Sequence, residues 1–180
     1  MKGPERFETE RLILRKPALT DAEEVFVRYA SDPDATRYMG WPRHLSIEDT
    51  KAFLSFSEAE WSRWPAGPYL IESRLHAKLV GSTGFGFETP ATAVTGYILA
   101  RDEWGKGYAT EALAAMVKIA AEIGIRELYA LCHPEHPASI RVLEKCGFRL
   151  KERLEKFASF PNLHRGQRED CLRYVRTFPV

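Results

Sequence analysis

The segment from residue 92 to residue 132 constrains the fold more than any other part of the chain, because its pattern changes twice. Residues 92–100 (TAVTGYILA) are typical of a strand, and so are residues 126–132 (RELYALC). Between them, residues 107–123 repeat apolar side chains at helical spacing, and Gly124 follows as a C-terminal cap. The apolar face consists of Ala109, Ala112, Leu113, Met116, Ala120 and Ile123. A strand, a helix and a second strand in this order predict a helical crossover within one sheet.

The remaining patterns add strands and helices on either side of this unit. An opening strand is predicted at residues 7–15, and residues 20–23 (TDAE) fit a capping box that opens a helix reaching about Ala30. Ser46 begins a second helix, and Pro137 suits the first turn of another. The other predicted strands are residues 69–75 and 78–87, which form an antiparallel meander with 92–100, and the closing runs GFRLKERLEKF and DCLRYVRTF. The pattern predicts an α+β fold with a mixed, mostly antiparallel sheet of about seven strands.

Composition limits the kinds of partner that the chain can have. A length of 180 residues suits one domain over 1–180, and 26 basic against 25 acidic residues leave no broad basic face for nucleic acid. The start MKGPERFETERL lacks the apolar stretch of a secretion signal, and no apolar run approaches the roughly 20 residues of a membrane span. The three cysteines have no CxxC spacing, which favours reduced thiols. We therefore expect a cytoplasmic domain without a nucleic-acid or membrane partner.

Two glycines and a lysine precede the strongest helix, in the run WGKGYATEAL at residues 104–113. Glycine weakens helices, so a helix start does not by itself need Gly105 and Gly107. The first turn of a helix presents free N–H groups that favour an anion, and residues without Cβ let backbone amides approach phosphate oxygens closely. The run matches neither the Walker pattern nor the GxGxxG pattern, whose third glycine would be Thr110. The pattern favours a pyrophosphate ligand, and a glycine-rich helix start that binds nothing is the alternative.

A second block, HPEHPASIRVLEKCGF, follows the glycine run by about two dozen residues. Together the two blocks resemble the GNAT superfamily of N-acetyltransferases, and more closely its RimJ/RimL-like branch, which acetylates amines including protein N-termini. The segments that carry this resemblance are TERLILRKP, RYMGWP, GYILARDEWGKGYATEAL and ASIRVLEKCGF. The resemblance implies a GNAT-like sheet with helices on both faces and acetyl-CoA as co-substrate.

The resemblance also assigns roles to individual residues. The loop from Trp104 to Thr110 would hold the coenzyme A pyrophosphate, and the strand around Ile98 and Leu99 would align the pantetheine arm and polarise the thioester carbonyl. Ser139 would protonate the leaving thiolate, with a helix-terminus hydroxyl as its alternative role. The predicted coenzyme-binding residues are Ile98, Leu99, Trp104, Gly105, Lys106, Gly107, Tyr108, Ala109, Thr110, His136 and Ser139.

Two positions depart from the pattern of this branch. His136 stands where asparagine is common, and its protonation would add a pH dependence. Val94 occupies the place where the branch often carries a glutamate, so the carboxylate that acts as base is missing there. Glu88 and His133 join Ser139 as predicted catalytic residues because either can serve as the base, and Glu72 or a chain of water molecules is an alternative.

The sequence therefore predicts an acetyl-CoA-dependent N-acetyltransferase that transfers the acetyl group directly to a primary amine. The acceptor is a protein N-terminus, such as that of a ribosomal protein, or a small-molecule amine, and a homodimer stays open. Its selection is expected to lie in residues 33–68 and 157–168, where His164 is a candidate for substrate contact. No metal is expected, because Pro134 and Pro137 disrupt the spacing of the nearby histidines. The alternative function is a module that binds or senses acyl-CoA without catalysis.

Overall fold

Eight strands form one sheet in the computed structural model, which describes residues 1–179. The strands are β1 (Arg6–Glu8), β2 (Leu12–Arg15), β3 (Pro68–Ser73), β4 (Leu79–Thr89), β5 (Thr92–Leu99), β6 (Glu127–Cys132), β7 (Arg149–Ser159) and β8 (Arg168–Thr177). Their order across the sheet is β1-β2-β3-β4-β5-β6-β8-β7. Neighbours are antiparallel except β5 and β6, which are parallel. The predicted α+β class and mostly antiparallel sheet are confirmed.

The eighth strand arises because the predicted opening strand is two strands. The Thr9 N–H donates to the Leu12 carbonyl (2.9 Å), and the Leu12 N–H donates to the Thr9 hydroxyl (3.0 Å). These bonds close a tight turn, so that β1 folds back on β2 with Phe7 opposite Leu14. A threonine that bonds the backbone three residues ahead thus replaces one extended run by a hairpin.

Four α-helices lie within the described residues: α1 (Ala22–Val25), α2 (Ile47–Arg63), α3 (Tyr108–Glu122) and α4 (Pro137–Lys145). A π-helical turn, Phe26–Ala30, extends α1, and Ser46 precedes α2 as predicted. The predicted capping box at residues 20–23 is wrong, because the Asp21 carboxylate accepts the Ala18 N–H (2.7 Å) one turn earlier. Arg15 holds that carboxylate in place through an ion pair (2.7 Å).

Alternation along the strands builds two apolar cores, one on each face of the sheet. Leu70, Leu79 and Ile98 pack with Tyr29 next to α1. The neighbouring strand residues point to the other face and pack against α3 and α4. The core on that face includes Tyr69, Ile71, Val80 and Leu99 from the strands, Met116 from α3 and Leu143 from α4. Helices therefore cover both faces, as expected. No helix of residues 1–179 has both the length and the apolar character for a membrane span.

The parallel strands β5 and β6 separate partway along their length. Their pairing ends at Val94 opposite Tyr129, although β5 continues to Leu99. Beyond that point β6 pairs only with β8. The same register, continued past the last pair, brings Ile98 level with His133. The separation opens a cleft in the sheet, and the crossover helix α3 begins beside it.

Candidate active site

A cavity of about 600 Å³ lies at this cleft, between the start of α3 and the start of α4. The predicted coenzyme-binding residues line it, apart from Lys106. The full lining consists of Asp34, Ala35, Arg37, Tyr38, Met39, Tyr97, Ile98, Leu99, Glu103, Trp104, Gly105, Gly107, Tyr108, Ala109, Thr110, His136, Ala138, Ser139, Arg141, Val142 and Lys145. The two motif blocks, which are separate in the sequence, therefore face each other across one cavity.

The glycine loop adopts a backbone conformation that other residues rarely accept. Gly105 and Gly107 have φ angles of +75° and +81°, in the left-handed region. A Cβ on Gly105 would meet no protein atom within 4 Å, so the space beside it is open. Gly107 directly precedes α3, whose first bond runs from the Glu111 N–H to the Gly107 carbonyl (3.1 Å). The N–H groups of the first turn thus have no partner within the helix and can bind an anion.

A salt bridge from the β1–β2 turn supports this loop. Arg11 donates to the Lys106 carbonyl (2.8 Å) and to the Glu111 carboxylate (2.6 Å), and its guanidinium lies 4.8 Å from the centre of the Tyr108 ring. Glu111 also accepts from the Thr9 hydroxyl (2.6 Å). Burial raises the pKa of Glu111, but the bonds from Thr9 and Arg11 outweigh it and hold that pKa below its usual range. Arg11 was not predicted, because its contacts lie about a hundred residues away in sequence.

The Lys106 side chain turns away from the cavity. Its ammonium pairs with Glu103 (2.8 Å), and this bond raises its pKa. Glu103 also pairs with Arg28 (3.2 Å), so its negative charge beside the cavity is balanced. Lys106 therefore contributes its backbone to the loop, while its side chain belongs to a surface ion network.

Two unpredicted cations on α4 point at the same cavity. Arg141 and Lys145 are four residues apart, and both line it. Side chains four apart lie on one face of a helix. Neither forms a salt bridge with any carboxylate of residues 1–179. These two charges are available to an anionic ligand. Both residues lie on the same predicted helix as Ser139, and their spacing of four residues is the sequence signal that could have identified them.

Ser139 contacts a tyrosine that the sequence analysis did not select. The hydroxyls of Ser139 and Tyr97 are 2.9 Å apart, and the Tyr97 hydroxyl also lies 3.3 Å from the Ser139 carbonyl. Burial raises the pKa of Tyr97, so its hydroxyl keeps its proton at neutral pH. The N-cap residue of α4 is His136, so Ser139 lies inside the first turn and its hydroxyl is bonded to Tyr97. A pair of neutral hydroxyls at the cavity wall can therefore donate a proton toward it.

Two aromatic rings of the cavity lining, Tyr38 and His136, stack on each other, and His133 packs behind them. The Tyr38 ring stacks on His136 at 4.5 Å and lies 5.2 Å from His133. Burial, with a smaller effect of His133, lowers the pKa of His136 to about 4. His136 is therefore neutral near pH 7, and the pH dependence expected from its protonation does not arise there.

The predicted base candidates are held by partners. Glu88 accepts a hydrogen bond from Tyr129 and lies beside Ala93, near the start of β5. At roughly 3.3 Å per residue, that end of β5 is about 15–20 Å from Ile98. Glu72 pairs with Arg15 (2.7 Å). Neither glutamate lines the cavity.

Asn162 joins two loops, one of which contributes Ala35 and Arg37 to the cavity lining. Its amide donates to the carbonyls of Thr36 (2.8 Å) and Trp41 (2.9 Å), and its oxygen accepts from the Arg43 N–H (2.8 Å). This side chain ties the β7–β8 loop, residues 160–167, to the segment before α2. His164 lies in the same loop, with Nδ1 3.0 Å from Glu169 Oε1. Within residues 1–179, no group of three or more His, Cys, Asp or Glu side chains is arranged for a metal ion.

Comparisons with known proteins agree with this geometry. A family model described as acetyltransferase (GNAT) domain matches residues 11–149. The uncharacterized N-acetyltransferase YoaA of Bacillus subtilis is 30% identical over 158 residues, which cover 83% of this chain and 86% of YoaA. The structure of a GNAT-family acetyltransferase from Bacillus anthracis is similar with a TM-score of 0.82 and 28% identity, covering 96% of this chain and 98% of that chain.

A more distant relative shares the fold. RimL, a ribosomal L7/L12 alpha-N-protein acetyltransferase solved in complex with coenzyme A, has a TM-score of 0.81 at 21% identity. The similarity covers 94% of this chain and 96% of RimL.

Proposed function

The chain belongs to the GNAT family of acetyltransferases, and on that premise we propose that it moves the acetyl group of acetyl-CoA to an α-amino group by direct attack. The observation that carries the proposal is the cavity at the β5–β6 separation. It combines free helix-start amides, two cations and a pair of proton-donating hydroxyls.

Acetyl-CoA fits the chemistry of the cavity lining. The amides from Tyr108 to Thr110 suit the pyrophosphate, and Arg141 and Lys145 suit further phosphate oxygens. The edge of β5 beyond Val94 has no partner on β6, so its backbone groups can bond the amides of a pantetheine arm. This arrangement would place the thioester near Ile98, with its sulfur toward Ser139.

The residues then divide the transfer into three events. The acceptor nitrogen must first lose a proton, since only the neutral amine has a lone pair to attack the carbonyl carbon. The new C–N bond forms and the C–S bond breaks, while a backbone N–H of β5 stabilises the oxyanion. The departing thiolate takes a proton from the Ser139 hydroxyl, while the nitrogen, positively charged after the attack, releases its second proton to solvent. Solvent restores the proton of Ser139 through the Tyr97 hydroxyl, which lies 2.9 Å away.

The cysteines favour direct transfer over an acyl-enzyme. Cys132, Cys146 and Cys171 are buried, and none lines the cavity. Burial raises the pKa of Cys132 to about 11, so that thiol is not ionised near pH 7. Buried free thiols also fit the cytoplasmic location that we propose.

For the acceptor we propose a protein N-terminus, within a RimJ/RimL-like role. The support is the shared fold with RimL, together with the loop of residues 160–167, which Asn162 joins to the segment that lines the cavity before α2. A free amine on a small molecule is the second class to be tested.

The experiment is a thiol-release assay with purified protein, acetyl-CoA and a panel of peptides and small amines. We expect release that depends on the amine, together with a peptide mass increased by one acetyl group. A peptide of the same sequence with a blocked N-terminus is the control. Binding of acetyl-CoA without release for any amine would support the acyl-CoA-sensing alternative and contradict the proposal.

A further inference from the structure

Beyond the end of β6, three side chains form one hydrogen-bonded chain. His133 Nε2 lies 3.1 Å from Glu169 Oε2, and Glu169 Oε1 lies 3.0 Å from His164 Nδ1. Two imidazoles thus share one carboxylate. Burial raises the pKa of Glu169, but the bonds from His133 and His164 outweigh it and keep that pKa below its usual range. Glu169 is therefore an anion that accepts a hydrogen bond from each ring.

The hydrogen bonds determine which nitrogen of His133 carries a proton. The Glu135 N–H donates to His133 Nδ1 (3.1 Å), so Nδ1 has no hydrogen and Nε2–H donates to Glu169. Both ring nitrogens are engaged, and only 7% of the side chain is exposed. His133, one of the predicted bases, has no free lone pair for a substrate proton.

His164 has the opposite arrangement. Its Nδ1–H donates to Glu169, so in the neutral ring the lone pair is on Nε2. The side chain is 55% exposed, and no residue of the described chain bonds that nitrogen. A carboxylate that fixes the tautomer and orientation of an imidazole is a known way to prepare a base.

The network lies next to the cavity without lining it. His133 is level with Ile98 in the continued β5–β6 register, and its ring centre lies 5.2 Å from that of Tyr38, which lines the cavity. Asn162 fixes the loop that carries His164 to the opposite loop. Glu88 does not line the cavity either, and it lies about 15–20 Å along β5 from Ile98.

We propose that His164, oriented by Glu169, accepts the proton of the acceptor ammonium at Nε2, directly or through one water molecule. The step rests on the proposed function. The N–H bond of the ammonium breaks, an Nε2–H bond forms, and the freed lone pair attacks the thioester. The imidazolium returns its proton to solvent before the next cycle. Glu169 is a positioning residue, and the hydrogen bond from His133 holds its carboxylate in place.

The surrounding charges define what the pH dependence reports. Glu169 on β8 faces His164, and His133 lies behind that carboxylate. Arg165 follows His164 in the loop, and the Arg168 guanidinium is turned to the Phe157 carbonyl (2.9 Å). A base of the enzyme gives kcat/KM an acidic limb at one pH for all acceptors. Without it, the limb follows the titration of each acceptor.

The test compares wild type with His164→Gln, using two peptides whose α-amino groups differ in pKa. For wild type we expect one acidic limb at the same pH for both peptides. His164→Gln should lower kcat/KM at pH 7 by roughly 100-fold or more. Its limb should move to the pKa of each acceptor, and its activity should approach wild type near pH 9.

Further variants separate a positioning role from damage to the fold. Glu169→Gln should move the limb as His164→Gln does, and Glu169→Asp should restore part of the rate, while both keep acetyl-CoA affinity by calorimetry. His76→Gln, at an exposed histidine of the β3–β4 turn, should behave as wild type. An unchanged limb and rate in His164→Gln would overturn the inference. If wild type released no thiol with any amine, the proposed function itself would fail.

Discussion

Gly107 and Gly124 stand at the two ends of α3 with nearly equal φ angles, +81° and +84°. A side chain at either position costs about 1–2 kcal/mol of stability in the left-handed region. Only Gly107 borders the cavity. We predict that Gly107→Asp weakens acetyl-CoA binding at least 100-fold, because its carboxylate repels phosphate, and that Gly124→Asp does not. Calorimetry measures both, and equal affinities would remove the loop from the site.

The Ser139–Tyr97 pair acts on the leaving group in the proposed reaction. We predict that Ser139→Ala lowers kcat by roughly 10²-fold with little change in the KM for acetyl-CoA, since one proton donor is lost. Tyr97→Phe should have a smaller effect, and the double variant should be no slower than Ser139→Ala. Steady-state kinetics with one peptide acceptor test this. Additive losses would mean that the two hydroxyls work separately.

At the residue scale, sequence patterns located ten of the 21 residues that line the cavity, because the glycine loop is local. They missed Tyr97, whose hydroxyl meets Ser139 across 42 residues. They also gave the side chain of Lys106 no partner, although Glu103 lies three residues before it. Both failures have one cause: a pattern predicts which residues share an element, while the direction of a side chain depends on the partner it finds after folding.

At the scale of elements, Glu111 connects the start of α3 to the β1–β2 turn. Its pKa is lowered in the folded protein, so its contribution to stability is present above the ordinary carboxyl pKa and is lost as pH falls through the folded value. We predict that Glu111→Gln costs about 1–3 kcal/mol at pH 7. The difference should shrink below about pH 4. Urea unfolding measures it, with Glu122→Gln at the other end of α3 as the control; a pH-independent difference would contradict the role.

Asn162 connects two loops through three hydrogen bonds. We predict that Asn162→Ala raises the KM for a peptide acceptor about 10-fold while acetyl-CoA affinity stays within 2-fold. The reason is that none of its three bonds reaches the glycine loop or α4. Asn162→Asp keeps an oxygen that accepts the Arg43 N–H, so its KM for the peptide should lie between the values of wild type and Asn162→Ala. Equal losses of both affinities would indicate general unfolding of the cavity.

The elements themselves were largely predictable, since their apolar periods are strong and Ser46 and Pro137 mark helix starts. The exact boundaries of these elements were not predictable. The opening strand became a hairpin through Thr9, and α1 begins with a turn fixed by Asp21 and Arg15. In each case a hydrogen bond from a polar side chain changes the local backbone, and the spacing of apolar residues carries no information about such a bond.

At the scale of the whole molecule, the proposed base lies on the other side of the cleft from Val94. The resemblance to the RimJ/RimL-like branch implies a glutamate where β5 carries Val94, whereas the chain of His133, Glu169 and His164 follows the end of β6. No sequence pattern predicts this, because the chain reaches Glu169 only through the β7–β8 hairpin.

That change of base predicts a preference among acceptors. Free α-amino groups titrate near 7.7–8.0 and alkylamines near 10.4. An alkylammonium therefore holds its proton more tightly than an α-ammonium by about 2.5 units, so the transfer of that proton to the same base is less favourable. We predict that, at pH 7, a peptide N-terminus is acetylated with a kcat/KM about 10²-fold above that of a lysine side chain. The gap should narrow as pH rises toward 10, because the alkylamine then loses its proton to solvent. The measurement uses one peptide sequence in two forms, a free N-terminus with a blocked lysine and the reverse. A lysine form that is as fast as the N-terminal form at pH 7 would show that a stronger base serves the site.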